Sequence, residues 1–338
     1  MKIALASFGI GLFLLMAAGC GGEEAKAPAG ADGAQGGDAP VVLRVGHFAN
    51  LTHAHGLIAH ALTREGQGWF EQRLGDGVRV EWYVFNAGPS AMEGILAGSL
   101  DVTYVGPNPA LNAHIKSKGT EVRVLAGATN GGSGLIVPGD GRLAKPEDFR
   151  GKKIATPQMG NTQDVACRAW LVAQGFQVTQ TGGDVTVIPT QNPDQLALFQ
   201  TGEVDAVWTV EPWLSRLELE AGGKPYLEEP DAITTVLACS AAFLRDRREL
   251  AARFVRAHDE LTDWIVANPA EAQRLVSAEL EAETGQPVKP QLMERCWPRL
   301  RFTNEVSTDA LHAFVTAAQA AGFLRDAGDL SRLVERPE

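Results

Sequence analysis

Two windows of the chain repeat one another: VFNAGPSAMEGILAGSLDVTYVGPN (Val84–Asn108) and VIPTQNPDQLALFQTGEVDAVWTVEP (Val187–Pro212). At a constant offset of 104 residues, Pro89 meets Pro193, Gly98 meets Gly202, Asp101 meets Asp205 and Tyr104 meets Trp208. In each window an apolar strand runs into a loop. A proline then opens a helix where its missing N–H costs nothing, and a glycine closes that helix before a second strand. Each window reads as a β-loop-α-β unit.

A further strand and helix precede each window: VVLRVGHF (Val41–Phe48) with NLTHAHGLIAHAL (Asn50–Leu62), and GKKIATP (Gly151–Pro157) with NTQDVACRAWLVAQGF (Asn161–Phe176). The order β-α-β-α-β thus occurs twice. In the second of these helices Val165, Ala169, Val172 and Phe176 recur at helical spacing as one apolar stripe, and Gly175 is placed to end it. The alternation predicts an α/β protein of two lobes, each a mainly parallel sheet flanked by helices, with strand ends and helix N-termini gathered on one rim. The chain turns helical after the second unit, and this block is read as packing back on the first lobe. The lobe crossings are expected near Leu135–Gly139 and Thr234–Ala238, a double hinge. The first lobe then comprises residues 41–135 and 239–330, and the second residues 136–238.

A length of 338 residues with 45% hydrophobic and 21% charged residues belongs to a globular chain with real cores. The formal net charge of -11 argues against a nucleic-acid partner held by bulk electrostatics. Residues 1–20, MKIALASFGIGLFLLMAAGC, have one lysine, an apolar run and small residues before a cysteine, which is the pattern of an export signal. AAGC resembles the bacterial lipobox, which makes Cys20 the acylated anchor to a membrane. Residues 21–40 read as a flexible Gly/Ala/Pro linker. The body holds Cys167, Cys239 and Cys296 without CxxC spacing; these read as buried small hydrophobes, with one disulfide among them left open.

GHFANLTHA, FNAGPSAMEGILAGSLDVTYVGPNPALN, KKIATPQMGNTQD, NPDQLALFQTGEVDAVWTVEPW and FVRAHDELTDWIVANPAEA, occurring in this order, resemble the substrate-binding proteins of ABC importers in the aliphatic sulfonate, taurine and nitrate group. The resemblance runs over nearly the whole body. It implies a type II periplasmic-binding fold that closes on a small organic anion and docks on an ABC permease, on the periplasmic or outer face of a bacterial membrane. It implies no catalysis and no cofactor.

A sulfonate is a permanent anion with three acceptor oxygens, and free N–H groups at a helix start supply both donors and positive potential. In PQMGNTQD, Gly160 allows close approach, Asn161 is the expected N-cap with Asp164 completing a box, and Thr162 and Gln163 are left for ligand. The first lobe offers Asn50, Thr52 and His53; Asn86, Gly88 and Ser90; and Gly106 and Asn108. Glu211 has two readings, an arginine partner or helix cap against a contact to a cationic part of the ligand. Trp208 and Trp213 either wall a ligand or belong to the core.

Nitrate, taurine or a pyrimidine vitamin precursor are the alternative ligands. An enzyme using Cys167 is the alternative class, although nothing near that residue in sequence resembles a base. His47, His53, His55 and His60 raise the question of zinc, yet they point in different directions and no acid or cysteine nearby completes a set, so no metal site is expected.

Overall fold

The computed structural model describes residues 40–338. The expected export signal, the Cys20 anchor and the linker as far as residue 39 lie outside the described residues. The first lobe begins with β1 (Val41–Phe48), α1 (Ala54–Arg64), α2 (Glu71–Leu74), β2 (Val78–Phe85), α3 (Gly88–Leu96), β3 (Val102–Val105), α4 (Pro107–Lys116) and β4 (Val122–Gly131). The second contains β5 (Ser133–Pro138), β6 (Lys153–Thr156), α5 (Thr162–Ala173), β7 (Thr186–Pro189), α6 (Asn192–Thr201), β8 (Ala206–Val210), α7 (Trp213–Ala221) and β9 (Gly223–Glu228). The chain then returns through β10 (Ile233–Ser240), α8 (Ala241–Asp246), α9 (Arg248–Ala267), α10 (Pro269–Thr284), α11 (Pro290–Cys296), β11 (Leu300–Phe302) and α12 (Thr308–Ala320).

The first sheet runs β11-β4-β10-β3-β1-β2 and the second β7-β6-β8-β5-β9. Parallel pairing joins β2, β1 and β3 in one and β7, β6 and β8 in the other. Those are the strands of the duplicated units. The strands that carry the chain between lobes, and their outer neighbours, pair antiparallel. Both sheets are therefore mixed rather than mainly parallel, because the returning strands lie outside the repeat from which direction was read.

The crossings also fall earlier than the sequence suggested. Ser133 already pairs in the second sheet and Ile233 already pairs in the first. The first change of lobe is made at Gly131 and Gly132, with φ of 78° and 67°, inside the polar stretch TNGGSG (129–134) rather than in the apolar run that follows it.

The repeat persists in detail. Gly98 and Gly202 end α3 and α6 with φ of 69° and 74°, the left-handed region where a β-carbon would be strained. Asp101 accepts the Arg44 amide in β1 at 2.9 Å and Asp205 accepts the Lys153 amide of β6 at 3.0 Å, so each fastens the adjacent parallel strand.

Helix α5 departs from its expected stripe. Val165 and Phe176 are buried, but Val172 is exposed, and the helix packs on its own sheet through Cys167 and Leu171. The buried face also carries Asp164 and Arg168, an ion pair at 3.1 Å that a hydrophobicity pattern does not register. Val165 packs instead into the first-lobe cluster with Leu311 and Val315 of α12, so one helix belongs to the cores of both lobes.

Candidate functional site

The C-terminal ends of β1, β2 and β3 in one lobe and of β6, β7 and β8 in the other open onto a single narrow cleft with a free volume of about 30 Å³. Of the residues expected to meet a ligand, Asn50, Thr52, His53, Asn86, Gly88, Gly106, Asn161, Thr162 and Gln163 line it. Phe48, Ala87, Pro109, Pro157, Asn192, Val210 and Thr234 complete the lining. Asn192 was legible: the 104-residue offset that aligns the repeats sets it opposite Gly88. The apolar members carried no polar signal.

Helices α3, α4, α5 and α6 all present their first turns to this cleft, and the lining includes no Lys, Arg, Asp or Glu. Its positive potential comes from peptide dipoles alone. At the start of α5 the Asn161 Oδ1 accepts the Asp164 amide at 2.8 Å. The Asp164 carboxylate accepts the Gly160 amide at 2.9 Å and the Thr156 hydroxyl at 2.8 Å, one position earlier than a standard box. Among the described residues, the Thr162 and Gln163 backbone N–H groups donate to no protein atom. The charge of Asp164 is matched by Arg168 beneath it, so this loop presents donors to the cleft without net repulsion of an anion.

The lobes meet across the cleft. Asn108 N–H points to Thr162 Oγ1 at 3.4 Å, and the Leu51 amide donates to the Glu211 carbonyl at 3.0 Å. Asn50 Oδ1 accepts from both Trp213 Nε1 and Asn192 Nδ2. The His53 ring stacks on Phe48 with centroids 4.2 Å apart. Burial, with a smaller contribution from His47, holds its pKa well below the usual imidazole value, so this ring is neutral.

Several expected contacts lie elsewhere. Ser90 lines an adjoining hollow with Gln158, Thr190 and Gln191. The Asn108 side chain is buried against α12, donating to the Phe314 carbonyl at 3.4 Å. Gly160 directs its N–H away to Asp164. Trp208 is in the second-lobe core with its indole N–H on Glu229, at 3.1 Å.

Glu211 is fully buried, accepting Ser215 N at 3.1 Å, Ser215 Oγ at 2.8 Å and Arg299 at 3.0 Å. The arginine-and-cap reading thus describes its place, and its carboxylate is engaged without a ligand. Cys167 is fully buried in the second-lobe core, and burial raises its thiol pKa well above the usual value; no nucleophile faces the cleft there. Cys239 and Cys296 are likewise buried and free.

The expectation for the histidines is corrected. His53 and His55 diverge from the others, but His47 and His60 converge with Glu279 and Glu283 of α10, their ligating atoms all within 4.8 Å of one another. The completing acids lie more than 200 residues away in sequence, out of reach of any local pattern.

Two mixed α/β lobes meeting at a cleft floored by strand ends form the periplasmic-binding-protein fold. The alkanesulfonate-binding protein SsuA from Xanthomonas axonopodis pv. citri, solved bound to MOPS, is similar with a TM-score of 0.70 at 19% identity, covering 88% of this chain and 99% of that one. The periplasmic aliphatic sulphonate binding protein SsuA from Escherichia coli gives 0.68 at 18% identity, covering 87% and 97%. At such identities the likeness is one of fold.

The chain belongs to the NMT1-like family, whose profile matches residues 36–280. It is 27% identical over 167 residues to the "Putative aliphatic sulfonates-binding protein" of Bacillus subtilis (strain 168), 48% of each chain. The chain spans about half the length of the curated relatives it matches first.

Proposed function

We propose that this chain is the extracytoplasmic substrate-binding component of an ABC importer, that it performs no catalysis, and that it captures a small organic anion, an aliphatic sulfonate, between its two lobes. The observation that carries this reading is the pair of unpaired N–H groups of Thr162 and Gln163 in a cleft with four helix starts and no charged side chain. Such a site favours a permanent anion with several acceptors and spares it the desolvation of a buried lysine or arginine partner. Asn50, Thr52, Asn86, Asn161 and Asn192 add neutral polar groups around it.

A plain alkanesulfonate suits the lining better than taurine, whose ammonium would find no carboxylate there. The relatives' names do not separate the two ligands: one of those matched at 27% identity is named for aliphatic sulfonates and another for taurine, so the choice rests on the lining. A pyrimidine precursor would need a free aromatic face, and Trp208 is committed to the core while the Phe48 and His53 rings of the lining stack on each other. The short tail would extend toward Ser90 and Gln158 in the adjoining hollow.

In this reading the leader motif supports a place on the outer face of a membrane with acylated Cys20 as tether, and an ABC permease is the partner. The test is a thermal-shift series with ethanesulfonate, taurine, nitrate and hydroxymethylpyrimidine. Stabilisation by ethanesulfonate above the others is expected; stabilisation by the pyrimidine alone would overturn the reading.

A further inference from the structure

Beneath the first lobe, away from the cleft lining, four buried side chains from three elements point their donor atoms at one spot. His47 comes from β1, His60 from α1, and Glu279 and Glu283 from successive turns of α10. His47 Nε2 lies 3.1 Å from His60 Nδ1 and 3.1 Å from Glu283 Oε1. His60 Nδ1 lies 2.7 Å from Glu279 Oε1 and 3.4 Å from Glu283 Oε1. The His47, Glu279 and Glu283 side chains are 0%, 1% and 3% exposed.

Hydrogen bonding within the protein leaves this cluster incomplete. Glu283 Oε2 and His47 Nδ1 are buried without a hydrogen-bond partner, and Glu283 Oε1 has only the two imidazole nitrogens beside it. Two carboxylates face one guanidinium, Arg64, which is bonded to Glu279 at 2.9 Å. Arg64 offsets one negative charge, and the other is left for a proton, on His60 or Glu283, or for a bound cation to neutralise.

We propose that His47, His60, Glu279 and Glu283 bind a divalent transition-metal ion of the zinc class, which clamps the C-terminal helical block to the sheet of the first lobe. Metal–ligand bonds of about 2.0–2.2 Å at tetrahedral angles set neighbouring ligand atoms roughly 3.3 Å apart; the four contacts at 2.7–3.4 Å lie near this, and the widest spacing of the set is within 4.8 Å, so binding would draw the side chains together slightly. Two imidazole nitrogens select zinc over magnesium or calcium, which take oxygen ligands. Four protein ligands leave no open position, so the ion is structural. Trp82, stacked on His60 at 5.4 Å and edge-on to His47 at 5.5 Å, shields one side.

The test uses the full chain and needs no sulfonate, so its result is separate from that of the proposed transport role. The chain is stripped with chelator and titrated with zinc, calcium and magnesium chlorides, then reloaded with cobalt(II). Expected are one zinc per chain, a raised melting temperature with zinc alone, and the visible absorption of tetrahedral cobalt. His60→Gln and Glu283→Gln are each expected to weaken zinc by at least about tenfold, the loss that even an outer partner causes. Should either variant fold poorly, the cobalt spectrum of the unmutated chain still decides. Substoichiometric zinc, an octahedral cobalt spectrum, or unaltered affinity in both variants would overturn the proposal and leave a proton-bridged cluster.

Discussion

Asn50 of the first lobe accepts the indole N–H of Trp213 of the second at 3.1 Å. The same oxygen takes the Asn192 amide at 3.3 Å, so one side chain at the start of α1 holds two groups of the opposite lobe. Asn50→Ala leaves both donors unpaired in a buried place, costing about 1–3 kcal/mol of the closed arrangement. Since ligand binding and closure are linked, affinity for ethanesulfonate should fall about tenfold or more by titration calorimetry, with unchanged far-UV circular dichroism.

Gly106 also sets how closely the lobes meet. A β-carbon there would run into Thr162 Oγ1. Gly106→Ala must push Thr162 aside or hold the lobes apart, and either displaces the first turn of α5 from the ligand. Binding should weaken by about 1–3 kcal/mol, while the melting temperature of the ligand-free protein changes little. The two readings come from calorimetry and a thermal scan.

Arg299 joins the lobes at their hinge side, bonding Glu211 and Glu218 at 3.0 and 2.9 Å. Removing it strands the Glu211 carboxylate with only Ser215 and the Cys296 thiol as donors. Arg299→Met should cost roughly 3 kcal/mol, as breaking one side of a buried pair does, measured by urea unfolding.

His258 supplies a pH signature. It is buried, its Nε2 donates to the Gly127 carbonyl at 2.8 Å, and its Nδ1 takes the Tyr104 hydroxyl at 3.1 Å. This arrangement requires the neutral ring, and burial above all lowers its pKa to about 4. The unfolded chain, with the ordinary value near 6.5, binds the proton more readily. The contribution is therefore complete above about pH 6.5 and is lost as pH falls toward 4, on the order of 3 kcal/mol in all. His258→Gln should flatten this part of the stability profile relative to the unmutated chain.

The repeat was legible because it is written in residues whose backbone demands are strict. Pro89 and Pro193 open helices, Gly98 and Gly202 close them, and the structure has α3 and α6 at those places. Asn192 could have been found by the same offset. Strand direction in the returning segment was not legible, because β10 is as apolar as a parallel strand and only its route decides its sense. The Asp164–Arg168 pair and the His47–Glu283 contact were hidden for related reasons. One is polar in a position that periodicity assigns to the core, and the other joins residues brought together only by tertiary folding. Trp208 and Glu211 lie at the rim in sequence, yet their side chains turn into protein.

The central claim is that the amides at the start of α5 hold the oxyanion. The direct measurement is amide NMR of the isotopically labelled chain, titrated with ethanesulfonate and with the neutral ethyl methyl sulfone. The account predicts saturable downfield shifts of the Thr162 and Gln163 N–H resonances with ethanesulfonate and far smaller ones with the sulfone. Tight ethanesulfonate binding that leaves those two resonances unmoved, or equal binding of the sulfone, would contradict it.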